Sequence, residues 1–150
     1  MNVKLRYLVK MLVLSLLSHV AMASETLVGY VKTVEGDATV LMAGKSIKAQ
    51  PGTPVNAANI LKTGKRASMG VTLKDNTLLS IGPDTELVVD EFLYAPAQGD
   101  LKLGASLRKG SLNYVSGMIA RLKPEAISIQ TPTGNIGVRG THFVATVEEE

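Results

Sequence analysis

The sequence contains no cysteine and no tryptophan, and aromatic residues make up 4% of it. Without cysteine the chain has neither disulfides nor thiolate ligands for a metal. Of its two histidines only His142 lies beyond residue 23, so a zinc site cannot be assembled from histidine and cysteine. The acidic residues between positions 84 and 91 do not have the ligand spacing of a calcium loop. We therefore predict neither a metal nor a cofactor.

Signatures of catalysis are also lacking. A Ser–His–acid triad would have to use His142, which we expect to be half-buried at a strand start, and the Gly-x-Ser-x-Gly elbow is missing. Glu86, Asp90 and Glu91 are candidates for a paired-carboxylate mechanism by residue type alone. The glycines at 134, 137 and 140 lack the strand–glycine–helix context of a nucleotide loop. We expect a protein that is not an enzyme and has no catalytic residues.

The N-terminal segment has the three parts of a secretory signal peptide. A basic region precedes the apolar residues 11–20, and an Ala-x-Ala site at Ala21 and Ala23 predicts cleavage before Ser24. The alternative is a membrane anchor, but the apolar run is shorter than the roughly 20 residues that a span needs. We predict that residues 1–23 are a cleaved signal, following the general secretory route to the periplasm, and that no integral membrane segment remains.

Cleavage removes the excess of positive charge. The formal net charge of +3 comes from the basic residues of the signal, namely Lys4, Arg6 and Lys10. The remaining chain is neutral and shows no basic stripe with stacking aromatics, so we expect no nucleic acid partner. The basic residues at 62, 65, 66, 108 and 109 are interpreted as solvated loop charge.

Period-2 alternation dominates residues 24–150. Small or apolar residues alternate with polar or glycine positions over 67–74 and 101–108, and again over 143–147. This period indicates strands with one buried face, and turn signals recur about every 8–12 residues. We predict a single all-β domain over 24–150, a β-roll or barrel-like stack of short β-turn-β units after an N-terminal signal helix.

Turn chemistry marks the ends of several strands. Asp75 and Asn76 predict a hairpin turn, because their side chains bond the local backbone and Asn tolerates positive φ. Residues 95–100 are expected to form a surface loop. Residues 117–123 fit either a strand or two helical turns, and residues 56–59 fit a single helical turn. Residues 61–64 (LKTG) and 107–110 (LRKG) form an internal echo.

The most distinctive stretch is residues 131–143, TPTGNIGVRGTHF. Its glycines are expected to let the backbone turn tightly between strands. Arg139 carries five donors in a planar fork. It is expected either to brace the strand crossing by reaching carbonyls of the adjacent turn, or to contact an anion or a partner.

Residues 124–144 resemble the end of the FecR domain, where a TP-x-(small)-x-IG-(I/V)-RGT-x-F pattern recurs. Residues 34–38 resemble the opening strand pair of that family, residues 60–64 and the SMGVTLKDNTLLSIGPDTEL run its central unit, and residues 107–117 the strand before its last unit. The motif positions, assigned a structural or partner-contact role, are Thr131, Pro132, Gly137, Arg139, Gly140, Thr141 and Phe143.

The resemblance implies an all-β periplasmic module that takes part in envelope signalling. In its known context such a module is joined to a membrane helix and a cytoplasmic sigma-regulating segment. Because the hydrophobic run here is predicted to be cleaved, we expect only the periplasmic module to carry over. The prediction is protein–protein recognition with a periplasmic or envelope partner of unknown identity. The alternatives are an envelope glycan-binding module, for which the aromatics are few, and a structural subunit of an envelope assembly.

Overall fold

The computed structural model describes residues 25–148, so the predicted signal helix, its cleavage residues Ala21, Ala23 and Ser24, and the last two residues lie outside it. Alternating burial over this range produces twelve strands. The strands are β1 (Leu27–Glu35), β2 (Ala38–Met42), β3 (Lys45–Lys48), β4 (Pro54–Asn56), β5 (Ile60–Thr63), β6 (Ser68–Leu73), β7 (Leu78–Ile81), β8 (Glu86–Ala95), β9 (Asp100–Val115), β10 (Ile127–Thr131), β11 (Gly134–Gly137) and β12 (His142–Val147).

Helical structure in the described range is slight. Residues Met118–Leu122 form one turn of α-helix, α1, and two 3₁₀ turns cover Pro96–Gln98 and Pro124–Ala126. The helix decides the ambiguous segment at 117–123 in favour of helix, and the expected loop at 95–100 contains the first 3₁₀ turn. Residues 56–59 form a turn, in which the Asn59 N–H donates to the carbonyl of Asn56 at 3.1 Å, but the turn is not helical because Ala58 has a φ of 66°.

All twelve strands belong to one curled sheet, which has two halves that share β9. Half A runs in the order β4, β1, β6, β7, β9, β12, and half B runs β3, β2, β5, β8, β9, β10, β11. Neighbouring strands are antiparallel, with one exception: β10 pairs parallel to β9. A parallel neighbour needs a crossover, and α1 with the second 3₁₀ turn supplies it. The prediction of an all-β roll is confirmed.

The strand β9 changes partners at Gly110. Its residues up to Lys109 pair with β8, whereas the residues from Gly110 onward pair with β12 and then β7. Gly110 has a φ of 82°, and a Cβ there would overlap Thr85 and the carbonyl oxygen of Asp84. Glycine adopts this left-handed conformation without strain and has no Cβ to make the overlap. Gly110 therefore makes the corner at which the sheet folds over.

The two halves enclose a single apolar core. Ala67, Met69, Val71 and Leu73 are buried, as the alternation predicts, and their neighbours 68, 70, 72 and 74 are not. Half B contributes a matching set to the same cluster, which includes Leu61, Leu87, Leu103 and Leu107. The core thus fixes which face of each strand points outward.

Candidate functional site

The TPTGNIGVRGTHF stretch builds the end of both sheet halves. It finishes β10, turns at Pro132 and Thr133, forms β11, bends over residues 138–141 and enters β12. The Thr131 hydroxyl donates to the carbonyl of Gly134 at 3.0 Å and closes the first turn. β11 ends half B and β12 ends half A. The segment at 138–141, called the bend below, joins these two terminal strands.

Both terminal strands have an open edge. Among the described residues β11 pairs only with β10, and β12 pairs only with β9. The outer main-chain donors and acceptors of these strands are therefore available to another strand. An open space of about 510 Å³, the edge cleft, lies between them and is lined by residues of both, including Ile136, Phe143 and Ala145.

A second space lies on the other side of the bend. This arginine cleft, of about 810 Å³, is bounded by α1, by the second 3₁₀ turn and by the bend. Ala120, Pro124, Ile127 and Val138 give it an apolar lining, while Arg121, Glu125 and Arg139 supply charge. Because Val138, Arg139 and Gly140 line both spaces, the bend separates two adjoining clefts.

Of the two roles expected for Arg139, bracing of the strand crossing is not seen. Its side chain is exposed and makes no hydrogen bond or ion pair with any residue from 25 to 148. The bracing comes instead from Ser116: its backbone N–H donates to the carbonyl of Thr141 at 2.9 Å, and its hydroxyl donates to the carbonyl of Gly140 at 2.8 Å. Arg139 is thereby left available for a contact with a bound molecule.

The glycines of the motif do not all set turns. Gly134 and Gly137 lie in the extended strand β11, where a Cβ would meet nothing within 4 Å. Gly140, with a φ of 134°, is the one that needs the conformational freedom of glycine. The absence of side chains at 134 and 137 instead leaves the main chain of β11 uncovered.

Phe143 fixes β12 to the core. Its ring stacks on Tyr114 of β9 with centroids 4.8 Å apart and planes 20° from parallel. Burial raises the pKa of Tyr114 above its ordinary value of 10.0, and the charge of Asp75 adds to this. The Tyr114 hydroxyl is buried and makes no hydrogen bond of acceptable geometry within the described residues.

Asp75 and Asn76 form the turn between β6 and β7, and Asn76 has a φ of 65°. The fully buried Asp75 carboxylate accepts from the backbone N–H of Thr77 at 3.0 Å and from its hydroxyl at 2.8 Å. It also accepts from the backbone N–H of Ile119 in α1 at 3.1 Å. Asp75 therefore anchors the helix that forms one wall of the arginine cleft.

His142 lies at the rim of the edge cleft. It is exposed rather than half-buried, and its Nε2 atom is 2.6 Å from Asn113 Oδ1. No group of three or more His, Cys, Asp or Glu side chains in residues 25–148 is placed to hold a metal ion.

The charged residues of the internal echo lie on half B, in strands rather than in loops. Lys62 of β5 and Arg108 of β9 flank Glu86 of β8, with N–O distances of 3.3 and 2.9 Å. Lys109 pairs with Asp84 at 3.1 Å. Burial raises the pKa of Glu86, but the hydrogen bonds and charges of Arg108 and Lys62 outweigh it and hold the pKa below its ordinary value. The two similar segments therefore place Lys62 and Arg108 on opposite sides of the Glu86 carboxylate.

Comparison with protein families agrees with the motif. A family model described as FecR protein matches residues 59–150. The chain belongs to the FecR family. The match begins just before β5 and includes both clefts, whereas β1 to β4 precede it, so the likeness of residues 34–38 to the opening of the FecR domain stays a prediction. No curated protein and no solved structure matches the chain.

FecR domains are associated with the regulation of periplasmic signalling. Over residues 25–148 this FecR chain has no helix long and apolar enough to cross a membrane. The sequence pointed to the motif but missed Arg121, because the segment at 117–123 that holds it was ambiguous between strand and helix. It also missed Ser116, whose contacts with the bend are made across 24 residues or more. Residues of the motif line both clefts, and this makes the bend and its two neighbouring clefts the candidate site.

Proposed function

We propose that this FecR-family protein is a non-enzymatic exported module that recognises a protein in the periplasm. A strand of the partner would add to the open edge of β11 or β12 beside the family motif. The observation that carries the proposal is that both terminal strands of the curled sheet have one unpaired edge and that these edges border one cleft. Exposed edges bind extended segments through main-chain hydrogen bonds.

The other two open edges of the sheet are less suited to this role. β3 is fully exposed and carries Lys45 and Lys48, and lysine on an edge strand discourages pairing. β4 has three residues and begins with Pro54, which cannot donate a main-chain hydrogen bond. β11 has no charged residue, and β12 carries only the titratable His142. This contrast favours the β11 and β12 edges.

The predicted signal at residues 1–23 and the family support a periplasmic location. A glycan-binding role is less favoured, because aromatic platforms for sugars need exposed rings. Within residues 25–148, Tyr30 is the only Tyr or Phe side chain that is exposed, with 43% of its surface accessible. A structural subunit of an envelope assembly would use the same edges and would differ in the permanence of the complex.

The test begins with a partner crosslinked and identified in periplasmic extract, followed by hydrogen exchange on the purified complex. We expect the amides of β11 and β12 to become protected, while those of β3 and β4 exchange as in the free protein. Protection confined to β3 or β4, or to no edge at all, would show that the partner does not add a strand here.

A matched pair of edge substitutions gives an independent check. Val144 on β12 is 64% exposed and Ile47 on β3 is 36% exposed, so neither change to lysine should disturb the core. We expect Val144→Lys to weaken partner binding about tenfold or more, because an edge lysine discourages strand pairing. Ile47→Lys should bind as the parent does. Equal binding by both variants, with unchanged melting, would exclude β12 as the edge that the partner pairs with.

A further inference from the structure

We infer that the arginine cleft binds carboxylates of an acidic, extended partner segment. The inference rests on the proposed function, because it identifies the chemistry of the segment that the open edges receive. Its starting point is the charge of the cleft: two arginines and one glutamate, Arg121, Arg139 and Glu125, line it. Arg121 comes from α1 and Arg139 from the bend, so the two guanidinium groups are supplied by different elements.

Neither arginine has a partner within residues 25–148. Both side chains are exposed, and no hydrogen bond or salt bridge engages them. The contrast is with Arg108, whose guanidinium donates to Glu86 at 2.9 Å. Each free guanidinium offers five donors in a fork that matches the two oxygens of a carboxylate.

The lining of the cleft strengthens such a contact. Ile127 and Val138 are nearly fully buried, and Ala120 and Pro124 extend the apolar surface toward the rim. Charge pairs beside an apolar surface are screened less by water than pairs on an open face. The cleft is therefore suited to an acidic side chain whose methylene groups contact the lining while its carboxylate meets an arginine.

The position of the cleft favours a peptide as its occupant. Arg139 and Gly140 line both the arginine cleft and the edge cleft. A strand that pairs with β11 or β12 and continues past the bend would bring its next residues to the two arginines. Glutamate or aspartate at the end of an added strand would thus meet Arg121 and Arg139. Because the two clefts adjoin at the bend, we propose an acidic protein segment as the occupant. An anionic lipid surface could not pair with the free strand edges.

The experiment uses a labelled peptide that alternates threonine and valine and ends in two glutamates. Its match ends in two glutamines. We expect the glutamate peptide to bind about tenfold more tightly at low salt, and this advantage to shrink as salt screens the charges. Arg121→Gln and Arg139→Gln should each remove most of it. The control is Arg66→Gln, an exposed arginine outside both clefts, which should leave binding unchanged.

Three outcomes overturn the inference. Equal or absent binding of the two peptides excludes carboxylate recognition. Loss of binding in Arg66→Gln as well shows only a general effect of positive charge. Arginine-dependent binding to phosphatidylglycerol vesicles, with no preference for the glutamate peptide, assigns the cleft to lipid. None of these three outcomes bears on the proposed function. That function is tested separately, by the protection of the β11 and β12 amides in the complex with the natural partner.

Discussion

The Asp75 carboxylate accepts a hydrogen bond from the backbone N–H of Ile119 at 3.1 Å, across 44 residues of sequence. The contact joins the β6–β7 turn to α1. Gly117, the residue that precedes the helix, provides no side-chain cap, so the turn does so from a distance. A residue that the sequence marked only as part of a turn therefore holds one wall of the arginine cleft.

Replacing Asp75 by alanine should destabilise the protein strongly. The carboxylate is fully buried and accepts three hydrogen bonds, so the change leaves buried donors on Thr77 and Ile119 without partners. We expect a loss of about 2 kcal/mol or more, because each unsatisfied buried donor costs about 1–3 kcal/mol. Urea denaturation measures it, with Asp100→Ala at an exposed strand end as the control. A loss no larger than that of the control would contradict the capping role.

Gly110→Ala should also destabilise the protein, through backbone strain and overlap rather than through lost hydrogen bonds. The backbone is left-handed at this position, and the added methyl group would overlap Thr85. The conformation alone costs about 1–3 kcal/mol for a residue with a side chain, and the overlap adds to it. The matched control is Gly44→Ala, which is also left-handed but faces open space. Similar melting temperatures for the two variants would show that the overlap with Thr85 adds no cost at the corner.

Glu86 should make the stability depend on pH. Its pKa in the folded protein is lowered from an ordinary value of 4.5, so its contribution is present above that value. The contribution is lost as the pH falls through the lower folded pKa, when Lys62 and Arg108 face a neutral group. We expect Glu86→Gln to flatten this acid decline in a series of denaturation curves. Glu125→Gln, whose parent makes no ion pair within residues 25–148, should keep the decline of the parent.

Tyr114→Phe should leave the stability unchanged or raise it by up to about 1 kcal/mol. The hydroxyl is buried without a hydrogen bond, so removing it removes a cost of desolvation while the ring keeps its stacking on Phe143. Phe143→Ala serves as the contrast, because it removes half-buried ring area and should destabilise by about 1.5–3 kcal/mol. Thermal melting compares the two. A marked loss in Tyr114→Phe would mean that the hydroxyl is bonded in solution.

Much of the fold could be predicted from local sequence signals. The alternation over residues 67–74 predicted which side chains of β6 enter the core, and Asp75 with Asn76 marked the turn that follows. Such signals are local: a period of two, or a residue that tolerates positive φ. The long strand β9 was harder, because Gly110 divides it into two runs that look like separate strands.

The site was less accessible to sequence reasoning. α1 has five residues and takes its cap from Asp75, far away in the chain, so nothing local distinguished it from a strand. Arg139 was singled out within the motif, but the sequence did not show that Ser116, rather than Arg139, bonds the carbonyls of the bend. Arg121 was missed because its relation to Arg139 arises only when α1 lies beside the bend.

The corner in β9 has a mechanical consequence. β12 is attached to the part of this strand after Gly110, and β11 is attached through β10 to the part before it. The two free edges are thus carried by opposite sides of the Gly110 corner, and the bend at 138–141 joins them directly. A ligand that pairs with both free edges would therefore join the two parts of β9 that lie on either side of Gly110.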